Sequence, residues 1–123
     1  MKNKIIDVKS LTKKYGNKGT LALDHIDLKI EQGTIFGLLG PNGAGKSSFI
    51  NILSGLSNKT SGKVFVCGID LDKDPKTIRG NIGVVPQEIN IDPFFTPLEI
   101  MNIQSGMYGV KKKHNKNLEI LKN

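Results

Sequence analysis

Gly40, Gly45, Lys46 and Ser47 stand at the spacing G-x-x-x-x-G-K-[ST], filled here as Gly40-Pro41-Asn42-Gly43-Ala44-Gly45-Lys46-Ser47. Those residue types in that order suit a chain of anionic oxygens. Glycines let successive backbone N–H groups turn inward where a Cβ would strain the turn or block close approach. The Lys46 ammonium is a point charge for β- and γ-phosphates, and the Ser47 hydroxyl is a hard oxygen for Mg²⁺, an ion that keeps most of its waters. Ser48, next along, is grouped with the loop as a nucleotide contact.

Such a loop works only if it is held between the right elements. Thr34-Ile35-Phe36-Gly37-Leu38-Leu39 is a short apolar run of the buried-strand type. Lys46 to Leu56 has helical periodicity, with Phe49, Ile50, Leu53 and Leu56 on one face. The expected order is therefore strand, loop, helix N-terminus, where orphan N–H groups and the positive end of the macrodipole favour phosphate.

Upstream, Lys4 to Lys9 is expected as a first strand, with a polar turn region over Ser10 to Gly19 that includes Tyr15. Leu21 to Ile30 is expected as a second strand whose alternation changes phase near Asp24-His25, the mark of a bulge. Glu31-Gln32-Gly33 turns into the loop's strand. Downstream, Ser57 to Gly62 is a loop, Lys63 to Cys67 a strand, and Gly68 to Leu71 a turn or an edge. Asp74-Pro75 opens a short helix as N-cap and first position, ending near Gly80. Asn81 to Val85 is a second buried-type strand, left by Pro86-Gln87-Glu88. Ile89 to Phe95 is expected as a loop, and Thr96-x-x-Glu99 as a capping box for a helix to about Met107, with Leu98, Met101 and Tyr108 facing a core. Leu118 to Leu121 starts another helix.

Bulk properties narrow the function classes. The formal charge is +7, from 18 basic and 11 acidic residues, and every basic residue except Arg79 is lysine. The lysines are scattered apart from Lys111-Lys112-Lys113, and aromatics make up only 6%, so no stacking platform runs beside a basic stripe and no nucleic-acid partner is expected. Cys67 is the single cysteine, which fits a reducing compartment, and between Val66 and Gly68 it is expected as a small core residue. No stretch approaches the roughly 20 apolar residues of a membrane span, and Asp7 ends the first apolar run well short of a signal peptide.

Three features at fixed relative places resemble the ATP-binding subunit of ABC transporters. The phosphate loop is similar to that family's Walker A. Leu11-Thr12-Lys13-Lys14-Tyr15-Gly16 is similar to its A-loop, so the resemblance implies that Tyr15 stacks on adenine. Ile82-Gly83-Val84-Val85-Pro86-Gln87 is similar to its Q-loop, which implies that Gln87 helps hold Mg²⁺ and the attacking water beside Ser47. Asp92-Pro93-Phe94-Phe95-Thr96 followed by Gly106-Met107-Tyr108-Gly109 resembles the exporter branch. The implied fold is an α/β P-loop NTPase core, of the ABC nucleotide-binding type, with an N-terminal antiparallel β subdomain, truncated. ATP and Mg²⁺ are the implied ligands. A transmembrane permease subunit and a second ATP-binding subunit are the implied partners, which would place the chain on the cytoplasmic face of the membrane.

The resemblance runs over residues 1–123 but reaches only the first half of the family's domain. No L-S-G-G-Q signature is found: Leu53-Ser54-Gly55-Leu56 starts like one but follows the loop directly. Nor is there an apolar run ending in Asp-Glu to supply a Walker B aspartate and catalytic glutamate, or a placed switch histidine; His25 and His114 read as an early-strand and a tail residue. The expectation is a chain that binds nucleotide weakly if at all, does not turn it over, and is only partly ordered or aggregation-prone alone, because parallel core strands need cover on both faces. The other readings are a non-catalytic nucleotide-binding module and an inactive product of an interrupted gene. A GTPase is disfavoured, since Asn17-Lys18 continues as Gly19-Thr20 and no N-K-x-D occurs.

Overall fold

The computed structural model describes residues 3–16, 19–88 and 92–123. They fall into two compact units, residues 1–84 and 85–123. The parts of the expected turn at Asn17-Lys18 and of the expected loop at residues 89–91 lie outside the described residues.

The first unit is an antiparallel sheet with helices against it. Strands β1 (Lys4–Tyr15), β2 (Thr20–Glu31), β3 (Ser61–Val66) and β4 (Ile69–Asp70) lie in the order β2-β1-β3-β4. The first two are longer than their alternation suggested, because bulges reset the phase and let pairing continue. Between Val8↔Leu28 and Leu11↔Ile26 the extra residue is on β1, where Ser10 has φ 49° and its N–H donates to Asp27 Oδ1 at 2.8 Å. Between Leu11↔Ile26 and Lys13↔Leu23 it is on β2, at the expected Asp24-His25 position, where His25 has φ 46°. Tyr15, expected in a turn, is instead the last residue of β1, paired with Thr20.

Helix α1 (Lys46–Leu53) packs its Phe49, Ile52 and Leu53 against the sheet residues Val8, Leu11, Leu23, Val64 and Val66, with Ile78 of α2 (Pro75–Gly80) completing the core. Burial of this kind is worth roughly 1.5–3 kcal/mol per large aliphatic or aromatic side chain. The helix is shorter than Lys46 to Leu56, and its buried face differs from the expected one: Ile50 and Leu56 are exposed and Ile52 is fully buried. Gly55 accounts for the shortening and for Leu56. At φ +75° it ends the helix, and the following Leu56 N–H returns to the Asn51 carbonyl at 2.8 Å, carrying Leu56 off the helical face.

Cys67 is also corrected. With Gly68 it forms the two-residue turn of the β3-β4 hairpin, both at positive φ (52° and 77°), the combination a type I′ turn requires, and its thiol is exposed. Asp74 caps α2 as expected, accepting from Thr77 N–H at 3.1 Å.

The main correction concerns the two apolar runs expected as parallel core strands. Neither Thr34 to Leu39 nor Asn81 to Val85 forms a strand, and Ile35, Leu39 and Val85 are fully exposed. A buried-type run encodes a demand for neighbours on both sides, and no described strand pairs with either segment.

The second unit contains α3 (Pro97–Met107), a 3₁₀ turn (Lys112–His114) and α4 (Asn117–Lys122). The capping box is formed as expected: Thr96 N–H donates to Glu99 Oε2 at 2.8 Å and Glu99 N–H to Thr96 Oγ1 at 3.4 Å. The expected core face of α3 is not realised, since Leu98 and Met101 are half-buried and Tyr108 is exposed. Polar contacts join the two helices instead, with Asn117 Nδ2 donating to Asn102 Oδ1 at 3.0 Å and to Ser105 Oγ at 2.9 Å. Among the described residues no helix is long and apolar enough to cross a membrane.

Candidate functional site

Two elements that meet the core place the loop. β2 supplies a wall: an extra residue, Ala22, lies between the pairs Lys13↔Leu23 and Lys14↔Leu21. Gly45, the N-cap of α1, comes against this point at φ +92°. A Cβ there would run into the Ala22 carbonyl oxygen and press on Leu23 Cδ2 at 2.8 Å. Only glycine meets both conditions, positive φ and contact with a neighbouring backbone. The helix then starts with Phe49 N–H donating to the Gly45 carbonyl at 2.9 Å. Lys46, Ser47 and Ser48 precede that first bond, so the helix register provides no acceptor for their N–H groups.

The loop is folded on itself. Ala44 N–H donates to the Pro41 carbonyl at 3.1 Å. Lys46 Nζ donates to the Gly40 carbonyl and, at 2.8 Å, to the Pro41 carbonyl. The ammonium is thus held at the mouth of the loop by two carbonyls rather than by a carboxylate. Gly43 adopts φ +84°, and Gly40, Pro41, Asn42, Gly43 and Ala44 are all exposed. A ring of exposed main chain around one cation, beside a helix N-terminus, is chemically suited to an oligophosphate. The Ser47 hydroxyl is exposed and makes no side-chain hydrogen bond to another described residue. It fits Mg²⁺ as a lone hard-oxygen ligand. Among the described residues no three His, Cys, Asp or Glu side chains cluster in a way that could hold a metal.

Tyr15 is brought to this loop from β1. Its hydroxyl lies 3.1 Å from Ser48 Oγ, across 33 residues of sequence. Lys13, two residues earlier and so on the same face of the strand, places its Nζ 4.6 Å from the Tyr15 ring centroid. The Ser48 hydrogen bond lowers the phenol pKa from its usual value; desolvation opposes this, and Ser57 and the Lys13 charge add to it. Lys13, Ser48 as a partner of Tyr15, and Ser57 were not legible as a group, since bringing them together depends on β1 extending through Tyr15. The only available signal was the i, i+2 spacing of Lys13 and Tyr15, which becomes informative once that strand is known.

Gln87 belongs to the second unit, where it is exposed in a bend rather than at the end of a strand. His25 and His114 take no part in the loop: His25 Nδ1 pairs with Asp24 Oδ1 at 2.6 Å, and His114 closes the 3₁₀ turn.

Comparison with known proteins identifies the family and the fold. The family model described as "ABC transporter" matches residues 23–123, so β2 from Leu23 on, the loop and Gln87 fall within it and Tyr15 falls before it. The Nod factor export ATP-binding protein I of Cupriavidus metallidurans is 37% identical over 106 residues, covering 86% of this chain and 34% of that protein. The probable multidrug ABC transporter ATP-binding protein YbhF of Escherichia coli is 38% identical over 107 residues, covering 87% of this chain and 18% of that protein. The chain therefore spans about a third or less of the length of these relatives. Among solved structures, an ATP-binding cassette in a dimeric post-hydrolysis state, bound to ADP and Pi, superposes with a TM-score of 0.75 at 33% identity, covering 95% of this chain and 56% of that one. An ATP-binding subunit of an ABC transporter gives the same TM-score at 26% identity, covering 89% and 45%. With the glycine-lined loop on its helix, the antiparallel β subdomain and these matches taken together, the chain belongs to the ABC transporter ATP-binding family, with the P-loop NTPase fold.

Proposed function

We propose that this chain supplies the phosphate- and adenine-binding part of an ATP-binding component that couples ATP binding and hydrolysis to transmembrane export. The observation that carries the reading is the convergence on one helix N-terminus of the folded loop, the Lys46 ammonium and the Tyr15 ring tied to Ser48.

Each residue has a stated task. The Lys46 ammonium exchanges the Gly40 and Pro41 carbonyls for phosphate oxygens, and its loss removes the loop's own cation. Backbone N–H groups of Gly43 and of Gly45 to Ser48 cradle the phosphates, while that of Ala44 stays on the Pro41 carbonyl, and the half-buried Ser48 hydroxyl contributes beside them. Tyr15 stacks on the base. Ser47 would offer its hydroxyl to Mg²⁺, and the family resemblance assigns Gln87 to the metal and the attacking water. When bound, the metal neutralises charge on the β- and γ-phosphate oxygens. The partners are a transmembrane permease and a second ATP-binding subunit, which locates the chain at the cytoplasmic face of the membrane. The names of the relatives, Nod factor export and multidrug transport, favour export.

The residues that would supply the metal aspartate and the general base are not found in these 123 residues, so the 123-residue polypeptide is expected to bind without turnover. Titration calorimetry with Mg-ATP tests the reading. Wild type should bind, and Lys46→Ala should weaken binding by about ten- to a hundred-fold, the worth of charge-assisted hydrogen bonds. Equal affinity of both would overturn the phosphate assignment, and steady phosphate release by the polypeptide, lost in Lys46→Ala, would overturn the prediction of no turnover.

A further inference from the structure

We propose that Lys13 is a positioning residue of the nucleotide site, clamping one face of the Tyr15 ring so that the opposite face is the one presented to a purine. The proposal rests on the nucleotide reading of the loop. It concerns a side chain to which that reading gives no task.

Three contacts argue for a clamp rather than a chance approach. Lys13 Nζ lies 4.6 Å from the ring centroid, within the range where a cation is attracted to the ring's quadrupole. The same Nζ donates to the Asn58 carbonyl at 2.6 Å, 45 residues away, so the charge is tethered over the ring. The tether is itself braced, because Thr60 N–H donates to the Thr12 carbonyl at 2.9 Å and Lys14 N–H donates to Thr60 Oγ1 at 2.9 Å. The segment after α1 is thereby bound to β1 on either side of Lys13. At its far end the ring is held by Ser48.

The consequence is an oriented aromatic surface. Tyr15 is 46% exposed although Lys13 lies over its ring and its hydroxyl is engaged, and we take the face away from Lys13 as the one open to a ligand. A cation on one face also draws electron density from the ring, which favours offset stacking of an electron-rich purine on the other. A ring without this clamp would have to be ordered by the nucleotide itself, at a cost in affinity. Because Lys13 acts through the base and not the phosphates, its removal should discriminate between ligands with and without a base.

The test uses the 123-residue polypeptide carrying Tyr108→Phe, which leaves Tyr15 as the only tyrosine in a chain without tryptophan. Tyr15 fluorescence is followed while ATP or inorganic tripolyphosphate is added. Lys13→Met should increase quenching by acrylamide without any ligand, weaken ATP by about three-fold, and leave tripolyphosphate affinity unchanged; Lys13→Arg should restore the first two. A parallel loss for ATP and tripolyphosphate would mean that Lys13 acts only as a charge near the phosphates and would overturn the proposal, as would unchanged acrylamide quenching. Failure of the underlying nucleotide reading has a different signature: the parent polypeptide with Lys13 intact would bind neither ligand, and the proposal would fall with it.

Discussion

The hydroxyl of Tyr15 on β1 and the Oγ of Ser48 in the first turn of α1 are 3.1 Å apart, joining the end of the antiparallel subdomain to the helix that carries the phosphate loop. One hydrogen bond thus ties the aromatic ring to the helix behind the loop glycines, the two surfaces that we propose take the two ends of a nucleotide.

That relationship predicts separable losses at Tyr15. Tyr15→Ala removes the ring and should weaken ATP by about ten-fold, with tripolyphosphate unaffected. Tyr15→Phe keeps the ring and drops the Ser48 bond, so ATP affinity should fall only about two- to three-fold. Competition of each ligand against a fluorescent ATP analogue measures both. Equal loss for ATP and tripolyphosphate in Tyr15→Ala would show that the ring supports the loop rather than the base.

Gly45 predicts a stability effect. Its φ of +92° and its contact with Ala22 leave no room for a Cβ, and the clash is with backbone, which cannot swing aside. Gly45→Ala should therefore destabilise the first unit by about 3 kcal/mol, whereas Gly43→Ala, at positive φ but in open space, should cost only about 1 kcal/mol. Urea unfolding followed by circular dichroism compares the two. Equal costs would mean that strain at positive φ, and not the Ala22 contact, sets the requirement.

The start of α3 predicts a pH dependence. Hydrogen bonds to Glu99, first from the Thr96 backbone N–H and then from its hydroxyl, lower the carboxyl pKa below its ordinary value of 4.5. A depressed folded-state pKa means that the cap's contribution is fully present above that ordinary value and is lost as pH falls through the folded-state value. Amide exchange at residues 98–100 should accelerate on acidification below pH 4.5, after correction for intrinsic rates. Glu99→Gln should flatten that dependence. Unchanged protection through the acid range would show that the capping box does not hold this turn.

Much of the fold could be read directly because it rests on local rules. The Asp74 cap followed by Pro75, the Thr96–Glu99 box and the phase change at Asp24-His25 each involve residues within a few positions of one another, and each appears where expected. Misreadings came from non-local requirements. Leu56 continues the helical period in sequence, but Gly55 diverts the chain before it. Cys67 continues an apolar strand in sequence, but the hairpin needs a positive-φ residue there to turn back onto Val66. For Thr34 to Leu39 and Asn81 to Val85, the residues specify burial in a sheet, and a strand needs partners that the described residues do not provide.

Residue types and spacing by themselves carried the proposal of phosphate chemistry, since a glycine-lined turn with a terminal lysine and serine would act through its own backbone and needs only a helix behind it. The tertiary structure decided which distant groups join that turn. Tyr15 meets Ser48, Lys13 is tethered to Asn58, and Gly45 is pressed against Ala22 because the bulged pairing of β1 with β2 and the docking of α1 on the sheet bring them there. No local pattern encodes those pairings: register shifts of one residue decide which side chains share a face, and such shifts are selected by packing across the whole unit.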